Sequence, residues 1–320
     1  MNAAANLSTS YQPDGICRVL SLDGGGAKGF YTLGVLKEIE GLLGCPLHKR
    51  FDLIFGTSTG SIIAALLALG RGVDEIQALY TEHVPRVTGA ILPGAKSAAL
   101  RELAQEVFAD SRFEDMKTGI GIVATRWVSE TPMIFKNDRV QAHGRTGTFV
   151  PGFGCSVGDA VEASCAAYPY LKRKVVHTAQ GHDVELIDGG YCANNPALYA
   201  LADAVGPLAH APADIRLVSI GVGMYPQKGL RMRDIPSRII KMTPGVRLLQ
   251  KTLEINTQSM ESLRYALFKH IPTVRINKTY SEPAMATDLF EHDLKKLNVL
   301  LQRGSESFGE HEANLRAFLL

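Results

Sequence analysis

The sequence predicts an α/β fold with a mostly parallel central sheet flanked by helices. Three observations lead there. Short apolar runs alternate with amphipathic stretches along the chain, the pattern of strands joined by helical crossovers. Twice a strand-like run passes through a glycine-rich turn directly into a helical pattern. The chain has 320 residues, 46% hydrophobic and 21% charged, which suffices for a large core and excludes disorder as the main state.

Taken in order, Cys17 to Leu22 reads as a strand running into Asp23-Gly24-Gly25-Gly26. Phe30, Leu33, Leu36, Ile39 and Leu43 follow at helical spacing, with Gly44 as a C-terminal stop. Phe51 to Phe55 is a second apolar run, then Gly56-Thr57-Ser58-Thr59-Gly60 and an Ala/Leu-rich helix to about Leu69. Gly121 to Val128 and Met133 to Lys136 read as strands. Ser156 and Asp159 approximate a capping box before a helix from Ala160 to Ala167. Val184 to Ile187 and Ile215 to Ile220 complete the expected buried strands. Pro85 to Lys96 and Asn137 to Gly154, rich in glycine and polar residues, are expected to be rim or lid loops.

Composition excludes several classes. Thirty-four basic and thirty-two acidic residues give a net charge of +2, which argues against a polyanion binder. Five dispersed cysteines, with no C-x-x-C, suit reduced thiols in a cytosolic protein. The polar N-terminus has no apolar signal core. The longest clean apolar run, Ile62 to Leu69, is eight residues, against roughly 20 for a bilayer span. A soluble protein is expected.

The first chemical motif is Gly56-Thr57-Ser58-Thr59-Gly60, a G-x-S-x-G between strand and helix. A serine on so tight a turn needs small flanking residues, and the following helix aims its positive N-terminus at Ser58. The pentapeptide also fits a serine N-cap between turn glycines; the flanks favour a nucleophile. The second is Asp23-Gly24-Gly25-Gly26-Ala27-Lys28-Gly29. Consecutive glycines let backbone N–H groups converge on an oxyanion or another anion. Gly24-x-Gly26-x-x-Gly29 matches the dinucleotide fingerprint too, but Glu38 and Glu40 lie inside the helix rather than ending a second strand. Lys28 is followed by Gly29, so a Walker A loop is excluded. The third motif, Asp188-Gly189-Gly190, ends a strand at the edge where α/β sheets place their sites, although an Asx-turn is common there.

Together these motifs resemble the patatin-like phospholipases. Ala163-Ser164-Cys165-Ala166-Ala167 and Asn194-Asn195-Pro196 add to the likeness, which covers roughly residues 18–222. Lys28, where arginine is commoner, and Tyr168, inserted before Pro169, depart from the pattern. The resemblance implies a patatin-like three-layer fold over 18–222, leaving 223–320 as a mainly helical extension on the same core. It implies an acyl hydrolase with Ser58 as nucleophile, Asp188 as general base and the Gly24, Gly25 and Gly26 amides as oxyanion hole. Gly29, Gly56, Gly60, Gly189 and Gly190 would support those turns. No cofactor, catalytic histidine or calcium is implied. A Ser-Asp-His order would instead draw on His210, His270, His292 or His311, none of which sits in a small-residue turn. No metal-ligand spacing or RNA-stacking pattern is present, so neither a metal nor a DNA or RNA partner is expected.

From Pro226 to Lys278 eleven cations face three carboxylates, giving +8 and leaving −6 for the remainder. A solvated helix face explains this in a generic protein. Beside a scissile phospholipid, an anionic partner is the sharper expectation, since basic residues near a membrane contribute about 1 kcal/mol each. The chain is also similar, in size and short N-terminus, to bacterial patatin-like effectors of anti-phage systems that cyclic dinucleotides switch on. That likeness implies phosphate contacts at Arg231, Arg233 and Arg247, action at the inner membrane from the cytoplasm, and leaves a homo-oligomer open. The alternatives are a constitutive lipid acyl hydrolase and a dinucleotide-binding protein built on Gly24-x-Gly26-x-x-Gly29.

Overall fold

In the computed structural model, which describes residues 14–226 and 243–320, an eight-stranded sheet separates two layers of helices. The strands are β1 (Cys17–Leu22), β2 (Leu53–Thr57), β3 (Gly119–Arg126), β4 (Pro132–Lys136), β5 (Lys174–His177), β6 (Asp183–Asp188), β7 (Ile215–Ile220) and β8 (Thr273–Ile276). The sheet runs β5-β6-β3-β2-β1-β7-β8, with β4 also on β3. The pairings β3–β2, β2–β1, β1–β7 and β7–β8 are parallel, and β3–β4, β3–β6 and β5–β6 are antiparallel.

Period-two alternation sends successive residues of the central strands to opposite layers. Leu20, Leu22, Ile54, Val218 and Ile220 join the larger core with α1 (Gly29–Leu43), α2 (Thr59–Ala68), α3 (Val73–Gly89), α4 (Pro93–Phe108), α5 (Val157–Ser164) and α9 (Leu294–Leu319). Val19, Leu53, Phe55 and Leu217 face a second cluster with α7 (Ala197–Val205) and Met260 of α8 (Thr243–Phe268). A short helix, α6 (Gly190–Ala193), leads from β6 towards α7. Helices α1 and α9 approach through glycines: a side chain at Gly34 would strike the Leu301 carbonyl, and one at Gly304 the Tyr31 carbonyl.

Two expectations need correction. Pro85 to Lys96 is not a loop: α3 runs through Pro85 to Gly89, and Pro93 starts α4, leaving a short link at Ala90–Leu92. Burial of Val84 and Thr88 holds the helix across a residue that local propensity would use to end it. Strands β5 and β8 were not expected; both are four-residue elements with partly exposed faces, unlike the fully buried β1. The C-terminal part, made mainly of α8 and α9, also adds a strand to the sheet, since β8 pairs with β7.

Candidate active site

The register of β3 explains how two distant motifs meet. One edge of β3 carries β4, and the other is shared by two strands approaching from opposite directions. Parallel β2 ends with Thr57 opposite Val123, and antiparallel β6 ends with Asp188 opposite Ala124. Ser58 and Asp188, 130 positions apart in sequence, thus leave neighbouring strand ends, and the Ser58 hydroxyl donates to Asp188 Oδ2 at 2.7 Å.

Ser58 occupies the turn between β2 and α2 with φ 51° and ψ −125°, a conformation that side chains rarely adopt. The turn is closed by Ser61, whose N–H and hydroxyl both donate to the Ser58 carbonyl. Ser164 accepts from the Ser58 N–H at 2.8 Å and donates to the Val123 carbonyl at 2.6 Å, which gives the Ala163–Ala167 run a concrete task. A side chain at Gly60 would collide with the carbonyls of Leu22 and Asp23, so the small residue there is a packing requirement. The hydroxyl of Ser58 makes no cap bond to α2, which removes the N-cap alternative.

Asp188 is 1% exposed. Its Oδ1 accepts the Gly190 N–H at 2.7 Å, and Oδ2 takes Ser58. Burial pushes its carboxyl from 3.8 up to about 6, against the lowering pull of the Gly190 amide and the Ser58 hydroxyl. Such a group is ionised at neutral pH yet basic enough to accept a proton in a reaction. His210, His270, His292 and His311 make no bond to Ser58 or Asp188 among the described residues. The Asp188 oxygens are served by Ser58 and Gly190 instead.

The glycine loop is more differentiated than its sequence. The Gly24 N–H donates to the Asn194 carbonyl at 2.9 Å, so it is turned away from a substrate. This narrows the three expected oxyanion donors to Gly25 and Gly26, whose N–H groups have no acceptor among the described residues and which line the same cavity as Ser58. Asn194 also donates its side-chain amide to the Gly24 carbonyl at 3.1 Å and to Thr257 Oγ1 at 2.7 Å. It therefore grips the Gly24 peptide from both sides. Asn256 of α8 accepts the Asn194 N–H at 2.7 Å. Asp23, at the head of the loop, is buried in a bidentate pair with Arg275 of β8 at 2.9 and 2.6 Å. Lys28 is buried as well, with its ammonium 3.7 Å from Glu254 of α8; burial lowers its pKa against the opposing carboxylates of Glu254 and Asp288. Glu40 caps α3 through the Val73 N–H at 2.8 Å, so the acidic residue of a dinucleotide fingerprint is committed elsewhere.

The cavity above Ser58 holds about 650 Å³, mouth included. Its walls are apolar: Ile62 of α2, Val84 and Val87 of α3, Leu100 and Leu103 of α4, and Leu253 of α8. It suits a hydrocarbon chain leading to a polar group at Ser58. The supporting glycines stand where expected, Gly56 and Gly60 around Ser58, Gly189 and Gly190 after Asp188, and Gly29 against Thr59 and Tyr80.

The basic stretch is less available than its charge implies. Arg275 is spent on Asp23, Arg264 pairs with Glu261 at 2.5 Å, and Lys278 pairs with Glu310. Arg231 and Arg233 lie outside the described residues, and Arg247 is half-buried on α8. Sequence reasoning missed the roles of Ser164, Asn194, Asn256, Thr257 and Arg275. Of these, only Asn194 carried a signal, through its place in Asn194-Asn195-Pro196.

A three-layer α/β fold with a serine and an aspartate bonded at adjoining strand ends defines an acyl hydrolase class. The family model for patatin-like phospholipases matches residues 20–201, and the chain belongs to that family. Within it, the chain is 64% identical over 318 residues to the cUMP-AMP-activated phospholipase of Escherichia coli, spanning 99% of this chain and 98% of that one. It is 30% identical to the cGAMP-activated phospholipase of Pseudomonas aeruginosa over 63% of this chain and 61% of that protein. Among solved structures, VipD from Legionella pneumophila aligns with a TM-score of 0.47 at 12% identity, covering 95% of this chain and 67% of that one.

Proposed function

We propose that this phospholipase hydrolyses carboxylic esters of membrane phospholipids through a Ser58–Asp188 dyad and is switched on by a cyclic dinucleotide, as an antiviral effector. The observation that carries the chemistry is the 2.7 Å hydrogen bond from Ser58 to a buried Asp188 at the foot of an apolar cavity. Ser58 Oγ attacks the ester carbonyl carbon while Asp188 takes its proton. The Gly25 and Gly26 amides hold the oxyanion. The C–O bond to the lysophospholipid breaks, and Asp188 returns the proton to the leaving oxygen. Water then attacks the acyl-Ser58 carbonyl, Asp188 accepts its proton, and the fatty acid departs as Ser58 is restored.

Nucleotide control is supported by the names of the relatives at 64% and 30% identity. Peripheral action at the inner membrane is supported by two features. No helix among the described residues is long and apolar enough to cross a membrane. Ile91 and Leu92, each 68% exposed, stand on the short link between the two helices that wall the cavity. Acyl release from phospholipid vesicles, measured with and without cUMP-AMP and cGAMP, tests the reading beside fluorophosphonate labelling of Ser58. Labelled enzyme with nucleotide-dependent release is the expected result. Equal release in both conditions would leave a constitutive hydrolase, and absent labelling would remove the dyad.

A further inference from the structure

The parallel strands β7 and β8 end side by side at Ile220 and Ile276, and the chain beyond them stays paired through the bridge between Met224 and Thr279. Outside these carboxyl ends, against α8, lies an open chamber of about 1060 Å³. Open parallel sheets bind ligands at this edge. The glycine loop and Ser58 take the ends of β1 and β2, whereas the chamber takes those of β7 and β8. It shares no lining residue with the cavity above Ser58.

Resting on the nucleotide control proposed above, we propose that this chamber is the site at which the cyclic dinucleotide binds. Such a ligand has two flat bases and two anionic phosphodiesters, and the lining offers a partner for each of these two kinds of group. Tyr225 and Tyr280, buried and stacked on each other with centroids 5.2 Å apart and planes 6° from parallel, form an aromatic wall of the chamber against which a base can pack. Gln258, Thr279 and Ser281 supply hydrogen-bonding groups for base edges and sugars. Lys251 is exposed and has no ion-pair partner among the described residues, so its ammonium is available to a phosphodiester. Glu254, the carboxylate on the wall, is engaged by Lys28 and by the Gln250 side-chain amide at 2.8 Å. Its mouth left out, the chamber holds about 570 Å³, within the range of small-molecule sites.

The chamber is coupled to the reaction centre by one helix. Lys251, Glu254, Ile255 and Gln258 follow the i, i+3, i+4, i+7 spacing of a single α8 stripe, and this stripe faces the chamber. The adjacent stripe carries Leu253, which approaches Gly190, and Thr257, which holds Asn194 and through it Gly24. Glu254 itself reaches the buried Lys28 of the glycine loop. A ligand seated on the first stripe therefore bears on the helix that holds Asn194 on the Gly24 peptide, next to Gly25 and Gly26.

Calorimetric titration of the full chain with cUMP-AMP and with cGAMP decides the point, using the wild type, Lys251→Glu and Ser281→Trp. One variant reverses the phosphate-binding charge and the other fills the space; both positions are exposed, so melting temperatures should stay at the wild-type value. The expected result is wild-type binding of one nucleotide and about tenfold or greater weakening in each variant. Unchanged affinity in both variants would overturn the chamber while leaving nucleotide control intact. Vesicle hydrolysis by a wild type that binds neither nucleotide would overturn nucleotide control, and the chamber with it. Should one variant melt early, the other decides alone.

Discussion

The strand-end loops of residues 14–226 and the C-terminal residues 243–320 divide the work at the site unevenly. Every group given a chemical role in the proposed mechanism, the Ser58 hydroxyl, the Asp188 carboxylate and the Gly25 and Gly26 amides, comes from the first region. The second supplies what holds them: Arg275 on Asp23, Thr257 and Asn256 on Asn194, and the Leu289 carbonyl accepting the Ala27 N–H at 3.0 Å. The reacting groups are therefore encoded locally, and their rigidity is encoded some 60 to 250 residues away. A C-terminal part whose cations suggest in sequence an outside anionic partner spends several of its polar groups on the inside.

The largest effects should separate chemistry from support. Ser58→Ala and Asp188→Asn are each expected to lower turnover about 10⁴-fold or more, with folding retained. The pH profile sharpens this. In the proposed dyad Asp188 must be ionised to accept a proton, and burial pushes its carboxyl up to about 6, so kcat/KM should rise through pH 6 and level off above 7. The stability signature has the opposite sign. A buried carboxyl whose pKa is raised in the folded state costs stability once ionised, and that cost is relieved as pH falls through 6 towards 3.8. Asp188→Asn should thus gain about 2 kcal/mol over wild type at pH 8 and little at pH 4, in thermal or urea unfolding. An Asp188→Asn enzyme that keeps its turnover would end the assignment.

Next in size is the buried ion pair. Removing one partner leaves a charge uncompensated in the interior, so Arg275→Met should cost about 3 kcal/mol or more of stability. Asp23→Asn combined with Arg275→Met should recover much of that loss, since it removes both charges. If Arg275 instead serves an outside anion, the single variant would melt normally and lose ligand affinity. That outcome would collapse the division between the two regions.

How far the sequence reveals this arrangement depends on how local each constraint is. The tight turn at Ser58 excludes side chains at Gly56 and Gly60 within five residues of chain, so the constraint is written as a motif. Gly189 and Gly190 are similar, being crowded by the Val123 carbonyl and by Leu253. The central strands were legible because burial on both faces yields mostly apolar runs, Cys-Arg-Val-Leu-Ser-Leu in β1 and Leu-Ile-Phe in β2. Strand β8, Thr-Val-Arg-Ile, was not: its arginine serves Asp23, 252 residues earlier, and looks in sequence like one more surface cation. The grip of Asn194 on Gly24 has the same character, for its meaning appears only when α8 is packed beside it. Of the three glycine amides, the engagement of Gly24 is a long-range fact that no triplet of glycines announces.

Asn194 offers a smaller and more discriminating test of that grip. Asn194→Ala removes both side-chain bonds to the Gly24 carbonyl and Thr257 while keeping the backbone bonds. A loosened Gly25–Gly26 segment should lower kcat about 10- to 100-fold with KM little changed, because the lost order matters chiefly at the oxyanion. Fluorophosphonate inactivation should slow in parallel. A rise in KM alone would assign Asn194 to substrate binding rather than positioning.

The smallest expected effect concerns which region meets the lipid. Ile91 and Leu92, in the first region, are each 68% exposed beside the cavity walls, and burying such side chains contributes roughly 1.5 kcal/mol or more apiece. Lys251 and Lys269, in the second, are exposed cations worth about 1 kcal/mol each at an anionic surface. The two contributions differ in their response to salt, since only the second is screened. Flotation with anionic vesicles should show the Ile91→Asp, Leu92→Asp double variant binding about tenfold more weakly than wild type at both low and high salt. If binding instead vanishes for the wild type when salt is raised, with the double variant indistinguishable from it, the cations carry the contact and the support region is also the membrane-facing one.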